Sequence, residues 1–253
     1  MLHRFFISHE CLHGEQVLLA GRQTHQIRNV LRMAPGDRII VLDNTGWEYE
    51  VVLDKVGPDK VTGTILEKHR AAGEPAVRVT LYQSLLKQHK FRFVLQKCTE
   101  IGVVDFVPMV TERSLIQQAH TIKRHKLIHW QRIIAEAAEQ SHRGRLPRID
   151  GPAKFKDAVP ALDAFDLSLI ATPYGHGRNL RNVLQEVGKE PVSVALCIGP
   201  EGGFTEEEIA MACNKGAISV TLGKRVLRTE TAALVASTII LYELDEPKPD
   251  RTG

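Results

Sequence analysis

The chain has 253 residues, with 43% hydrophobic and 25% charged side chains and a net charge of +3, the composition of an ordinary globular protein long enough for two domains. Its longest apolar run, 232–242, is too short for a bilayer and carries Ser237 and Thr238, and Met1-Leu-His-Arg-Phe-Phe6 lacks the apolar core of a signal peptide, so the chain reads as cytoplasmic with no membrane partner. Four cysteines without CxxC spacing, and eleven histidines without HxH or HExxH, argue for reduced thiols and against a metal.

Residues 1–72 read as a small β-rich unit. A short amphipathic helix over 23–32 places Ile27, Val30 and Leu31 on one face, and it puts Arg28 and Arg32, four apart, on a common face. Strands follow at 38–43, 48–53 and 60–66, with Asn44-Thr-Gly46 and Gly57-Pro58 as turn chemistry. Several short strands and one helix suggest a compact barrel, and 71–75 is the linker.

Residues 73–253 then alternate strand and helix, the pattern of an α/β fold with a parallel sheet. Strands are expected at 76–82, 103–110, 167–171, 192–198 and 217–222. Helices are expected at 90–101, stopped by Gly102, at 120–140, and at 229–244. The last of these is apolar all round, so its own chain, a second copy, or both must cover it. Positive charge concentrates at 74–150, where thirteen Lys/Arg face seven Asp/Glu; either a solvated basic face or a polyanionic partner accounts for it.

Two glycine-rich turns follow the last two strands: Ile198-Gly-Pro-Glu-Gly-Gly-Phe-Thr205 and Leu222-Gly-Lys-Arg-Val-Leu-Arg-Thr-Glu-Thr-Ala232. Neither is a Walker or GxGxxG fingerprint. Glycines here serve either a tight turn or the close approach of a ligand at a strand end. Thr205 and Glu208 have the spacing of a capping box.

Five segments occur together in one order: Gln96-Lys-Cys-Thr-Glu-Ile-Gly-Val103, Glu112-Arg-Ser114, Glu136-Ala-Ala-Glu-Gln-Ser-His-Arg143, Ile198-Gly-Pro-Glu-Gly-Gly203 and Leu227-Arg-Thr-Glu-Thr-Ala232. The set resembles the RsmE family, bacterial ribosomal RNA methyltransferases of the SPOUT (trefoil-knot) superfamily, over almost the whole chain. His3-Arg-Phe-Phe6 and Val30-Leu-Arg-Met33 resemble that family's PUA-like RNA-binding domain. The resemblance implies a PUA-like β-barrel at 1–72, a SPOUT methyltransferase domain with a C-terminal knot at 73–253, and a homodimer. It further implies S-adenosylmethionine as methyl donor and N3 of a uridine in 16S ribosomal RNA, free or in the assembled small subunit, as acceptor.

Site roles follow from that resemblance. One wall of a cofactor pocket would be Ile198, Gly199, Pro200, Glu201 and Gly202, a second Ala171 and Thr172, and a third Leu222, Gly223, Val226 and Leu227, with Thr229 and Thr231 either touching the cofactor or capping the last helix. Removing the N3 proton leaves an anion, which Arg228 would stabilise unless it is tied to Glu230. Glu201 or Glu230 would take the proton. Arg4, Arg28, Arg32, Lys90, Lys97 and Arg143 are candidate RNA contacts or plain surface charges, and Gln140 either bonds the target base or caps a helix.

Overall fold

The structure is a computed structural model describing residues 2–116, 124–173, 175–187 and 193–244. It divides into two units: Met1–Glu74 with Ala135–Leu146, and Pro75–Ile134 with Pro147–Gly253.

The first unit is a six-stranded sheet. In chain order it holds β1 (His3–Phe6), β2 (Leu12–His13), β3 (Gln16–Ala20), α1 (Arg22–His25), β4 (Arg38–Leu42), β5 (Trp47–Val56) and β6 (Lys60–Arg70). The strands run in the order β1-β4-β5-β6-β3-β2, antiparallel except for the β1–β4 pair. Phe5, Val17, Leu19, Ile39, Val41, Val51, Leu53 and Val61 form its core. Within β6, Gly63 leaves room for its neighbour strand, since a Cβ there would stand 2.5 Å from Val51 Cγ1.

The helix expected at 23–32 is shorter and differently wound. After α1 the chain widens into a π-helical turn over Gln26–Val30, in which the Leu31 N–H donates to the Gln26 carbonyl. The wider turn changes which side chains face inward. Ile27 is buried as expected, but Val30 is 62% exposed. Arg32 takes φ +54 beyond the helix end, so it does not share a helical face with Arg28.

Segment 135–146 belongs to this unit through the Glu136 to Arg143 motif. Glu139 accepts the Phe6 N–H at 3.0 Å, and Glu136 pairs with Arg22 at 2.7 Å. Ala138 and Leu146 pack with Phe6, Ile40 and Leu42.

In the second unit the elements are β7 (Arg78–Ser84), α2 (Gln88–Ile101), β8 (Asp105–Val110), α3 (Arg124–Gln140, ending in the first unit), β9 (Arg148–Ile149), β10 (Ala153–Lys154), α4 (Phe155–Ala158), β11 (Leu167–Ala171), β12 (Arg178–Asn179), α5 (Leu180–Val187), β13 (Ser193–Ile198), α6 (Glu206–Cys213), β14 (Ile218–Thr221) and α7 (Thr229–Leu244). The sheet is parallel throughout, in the order β10-β8-β7-β13-β11-β14-β12, with β9 beside β8. Each strand expected in this half is present to within two residues at either end among the described residues. Positions 120–123 of the expected middle helix, and Val192, lie outside them.

Gly102 ends α2 at φ +123, donating to the Cys98 and Thr99 carbonyls. Helix α7 packs on α2, α5, β7 and β13 and buries Ala233, Ala236, Ser237, Ile240 and Leu241, so its own chain covers one face; Thr231, Thr238 and Tyr242 lie on the exposed side. Cys98 and Cys197 sit in the core, and burial pushes the Cys98 thiol up to about 12. Among the described residues, no helix is long and apolar enough to cross a membrane.

Candidate active site

Parallel pairing brings the C-terminal ends of β13, β11 and β14 to one edge of the sheet, where the loops leaving them enclose a cavity of about 390 Å³. Three walls meet there: 198–203 after β13, 171–173 after β11, and 221–229 after β14, with Ala232 from the first turn of α7. Ligand crevices form at such edges because several loops converge without strand pairing between them.

The glycine loop is braced from three sides. Thr205 accepts the Glu208 N–H at 3.2 Å while Glu208 accepts the Thr205 N–H at 3.0 Å, the expected capping box. The second oxygen of Glu208 accepts the Glu112 N–H at 2.9 Å, and Arg113 donates to the Gly202 carbonyl at 3.1 Å. A Cβ on Gly202 would meet Arg113 Cβ at 3.1 Å, so this glycine is needed for the brace to close. On the third side, Thr229 donates to the Gly199 carbonyl at 2.5 Å, tying the start of α7 to the loop. Behind it, the Gln83 amide nitrogen lies 3.4 Å from Thr229 Oγ1 and 3.1 Å from the Ser84 carbonyl; its Oε1 is buried with no hydrogen-bond partner among the described residues. On the second wall, Thr172 donates its N–H to the Val220 carbonyl at 2.8 Å.

Beside the glycine loop a lysine bridges two carboxylates. Lys90 Nζ stands 2.9 Å from Glu201 Oε1 and 3.3 Å from Glu230 Oε2. The second contact is the longer one, an ion pair to a buried carboxylate oxygen. Burial alone would raise the Glu201 carboxyl, but the Lys90 hydrogen bond and charge outweigh it and hold the group below its ordinary value. Lys90 is raised in turn, first by its hydrogen bond to Glu201. Arg228 is exposed at the cavity wall, and among the described residues no carboxylate pairs with it; Glu230 turns to Lys90 instead.

Of the residues named from sequence for the cofactor, Ala171, Thr172, Ile198, Gly199, Pro200, Glu201, Gly202, Leu222, Gly223, Val226, Leu227 and Thr229 line this cavity. Thr231 does not; two positions further along α7 it is exposed, whereas Thr229 is buried against the loop. Arg113, Gln83 and the bridging role of Lys90 were not anticipated. Glu112-Arg-Ser114 was visible as a motif, but nothing in it signals which loop it braces.

The RNA candidates fare unevenly. Arg4 is paired with Glu48 inside the first unit, and burial lowers its pKa. Arg143 is 1% exposed and held by Glu74 at 3.0 and 3.2 Å. Lys97 bonds Glu100 at 2.8 Å, and Lys90 is spent on the two glutamates. Each of these four charges has a carboxylate partner within the chain, buried in the case of Arg4 and Arg143 and partly exposed for Lys97. Arg28, Arg32 and Gln140 are exposed.

Residues 73–241 match the model of an RNA methyltransferase domain, and residues 19–66 that of an RNA methyltransferase PUA domain. Ribosomal RNA small subunit methyltransferase E of Bacillus subtilis is 31% identical over 237 residues, 92% of each chain. The chain belongs to the ribosomal RNA small subunit methyltransferase E family. Another member of this RsmE family, from Synechocystis, is 35% identical over 93% of this chain and 76% of its own. The Neisseria gonorrhoeae RsmE, solved bound to S-adenosylmethionine, is 28% identical with a TM-score of 0.86, covering 96% of this chain and 98% of that one. A Legionella pneumophila chain solved with bound SAM is 28% identical with a TM-score of 0.88, over 98% and 100%. The α/β fold with a parallel sheet is that of the SPOUT methyltransferases, and the cavity falls inside the matched methyltransferase domain.

Proposed function

We propose that this chain transfers a methyl group from S-adenosylmethionine to N3 of a uridine in 16S ribosomal RNA. The supporting observation is the cavity at the sheet edge, with an unpaired Arg228 on its wall. The residues fit the donor: about 390 Å³ lies within the usual range of cofactor sites, Ile198, Leu222, Val226 and Leu227 offer apolar surface for an adenine, and the backbone of 199–203 offers polar groups at close range. Bound there, S-adenosylmethionine would supply an electrophilic methyl group on a sulfonium.

The protein's part is to place the base and hold charge. Uridine N3 becomes nucleophilic on losing its proton, and the negative charge spreads to the ring oxygens. Arg228, paired with no carboxylate among the described residues, would stabilise that charge as it develops. Glu201, held ionised by Lys90, is a weak base. Glu230 is paired with the same lysine at 3.3 Å, so the proton passes to either carboxylate, directly or through water. Thr229, Arg113 and Lys90 act by position, fixing the glycine loop against α7. The same reading carries with it a knotted C-terminal path, a homodimer and a cytoplasmic site of action, where the ribosome is made.

Labelled donor supplied with free 16S RNA, assembled small subunits and transfer RNA, followed by mapping of the product, tests this. The expected product is N3-methyluridine in 16S RNA. Label confined to transfer RNA, or to a 2′-hydroxyl, overturns the reading, as does RNA binding without turnover.

A further inference from the structure

The first unit carries a cluster of cations that neither the sequence candidates nor the cavity accounts for. The β5–β6 register sets Trp47 opposite Arg70 and Tyr49 opposite Lys68. Alternation along the strands puts these four on one face and Glu48 and His69 on the other, where Glu48 takes both His69, at 2.6 Å, and Arg4. On the first face, the Arg70 guanidinium lies 4.0 Å from the Trp47 ring centre, and Lys68 Nζ lies 4.7 Å from the same ring and 5.1 Å from that of Tyr49.

Arg145 joins them across the Asn44-Thr-Gly46 turn. Its Nη2 donates to the Thr45 carbonyl at 2.7 Å, and its backbone N–H is held by Glu74 at 3.0 Å. Gly46 has no side chain to separate the two arginines: a Cβ there would stand 3.3 Å from Arg145 Nε and 3.6 Å from Arg70 Nη1. Three cations thus converge on one turn and one ring. Among the described residues no carboxylate forms an ion pair with any of them; the adjacent Glu74 is taken by the Arg143 guanidinium, and Asp43 by Thr45 and Tyr49.

Gathering like charges costs Coulomb energy unless an opposite charge arrives. Here the cations are held by aromatic faces and a backbone carbonyl, which fix them without neutralising them. A guanidinium held over an indole face keeps N–H donors for a phosphate acceptor. A strip of cations beside an aromatic side chain is the chemistry that grips a nucleic-acid backbone.

We propose that Lys68, Arg70 and Arg145, arrayed around Trp47, form a phosphate-binding surface for the ribosomal RNA substrate. This rests on the reading that the substrate is RNA, and it replaces Arg4 and Arg143, whose charges are spent internally. The surface grips RNA and takes no part in methyl transfer.

The test uses the full chain and a protein-free 16S RNA transcript, with affinity measured across roughly 50–200 mM salt. Each lost phosphate contact to a single strand lowers the slope of log K against log salt by about 0.7, so Lys68→Gln/Arg70→Gln/Arg145→Gln should flatten it by about 2 and weaken binding about tenfold or more. KM for RNA should rise while kcat at saturating RNA and the calorimetric affinity for S-adenosylmethionine stay unchanged. Lys68→Gln/Arg70→Gln leaves the Arg145–Thr45 contact intact, so it separates lost contacts from a disturbed turn; its slope should fall by about 1.4. A folded double variant with the parent's slope and KM overturns the proposal, as does loss of the whole slope on Arg28→Gln/Arg32→Gln instead. A parent chain that neither binds nor methylates 16S RNA, free or in the subunit, would sink the functional reading itself, a separate outcome.

Discussion

At the scale of single residues, the site is defined by which charges are paired. Among the described residues Arg228 pairs with no carboxylate, whereas Lys90 is paired with both Glu201 and Glu230. Replacing Arg228 by Ala should therefore cost the stabilisation of the developing uracil anion and little else. Turnover is expected to fall about 10²- to 10³-fold, the range for losing one preorganised donor, with S-adenosylmethionine affinity by calorimetry within about twofold of the parent. Unchanged turnover would remove Arg228 from the chemistry. Lys90 makes a different prediction. Because Glu201 sits below its ordinary value, its pair with Lys90 contributes fully above the unfolded glutamate value of about 4.3 and is lost as pH falls through the lower folded value. Carbon-detected NMR of the Glu201 carboxyl should show it titrating below the usual range, and Lys90→Met should move it upward. An unmoved titration would mean that Lys90 does not set the charge state of the loop.

At the scale of elements, the alternating half of the chain was legible because its strands are short apolar runs, three of them followed by Pro173, Gly199 and Gly223, and each long helix carries a buried stripe. Gly102, the Thr205–Glu208 box and the start of α7 at Thr229 all stand where local chemistry put them. The helix after β3 was not legible in detail. Its apolar residues fit an α-period, but the chain winds as a π-turn, and no residue type marks that choice. The strand-end residues singled out from sequence lie together around one cavity because backbone position follows from local chemistry, whereas the partners of long side chains are set by distant segments. Arg143 illustrates this: in sequence it is one arginine in a basic stretch, yet it is buried with Glu74, sixty-nine positions away. Breaking such a pair leaves the partner charge uncompensated, at a cost of about 3–5 kcal/mol. Arg143→Met should lower the denaturation midpoint accordingly while leaving the salt slope of RNA binding alone. A flatter slope without loss of stability would return Arg143 to the RNA contacts.

For the whole molecule, the open question is what lies against the outer side of α7. One face, from Ala233 to Leu241, is sealed by α2, α5 and the sheet. Thr231, Val235, Thr238 and Tyr242 recur at spacings of four, three and four, which places them along a single stripe of the opposite face. Tyr242 is 68% exposed, an expensive way to leave a large aromatic ring in water. The stripe is narrow, so a second copy laid on it must recruit neighbouring loops to reach the roughly 800 Å² per partner of a stable dimer. The first turn of the same helix supplies Thr229 and Ala232 to the cavity, so covering the stripe would also steady the wall that carries Arg228. If the proposed homodimer uses this face, Val235→Glu/Tyr242→Glu puts two carboxylates into each half of the contact, four in all, with no cation on the stripe to meet them. Sedimentation equilibrium should then show the parent at twice the chain mass and the variant at the chain mass, with S-adenosylmethionine binding weakened in the variant. A variant that stays dimeric would place the interface elsewhere, and a monomeric variant with the parent's donor affinity would separate assembly from the cavity.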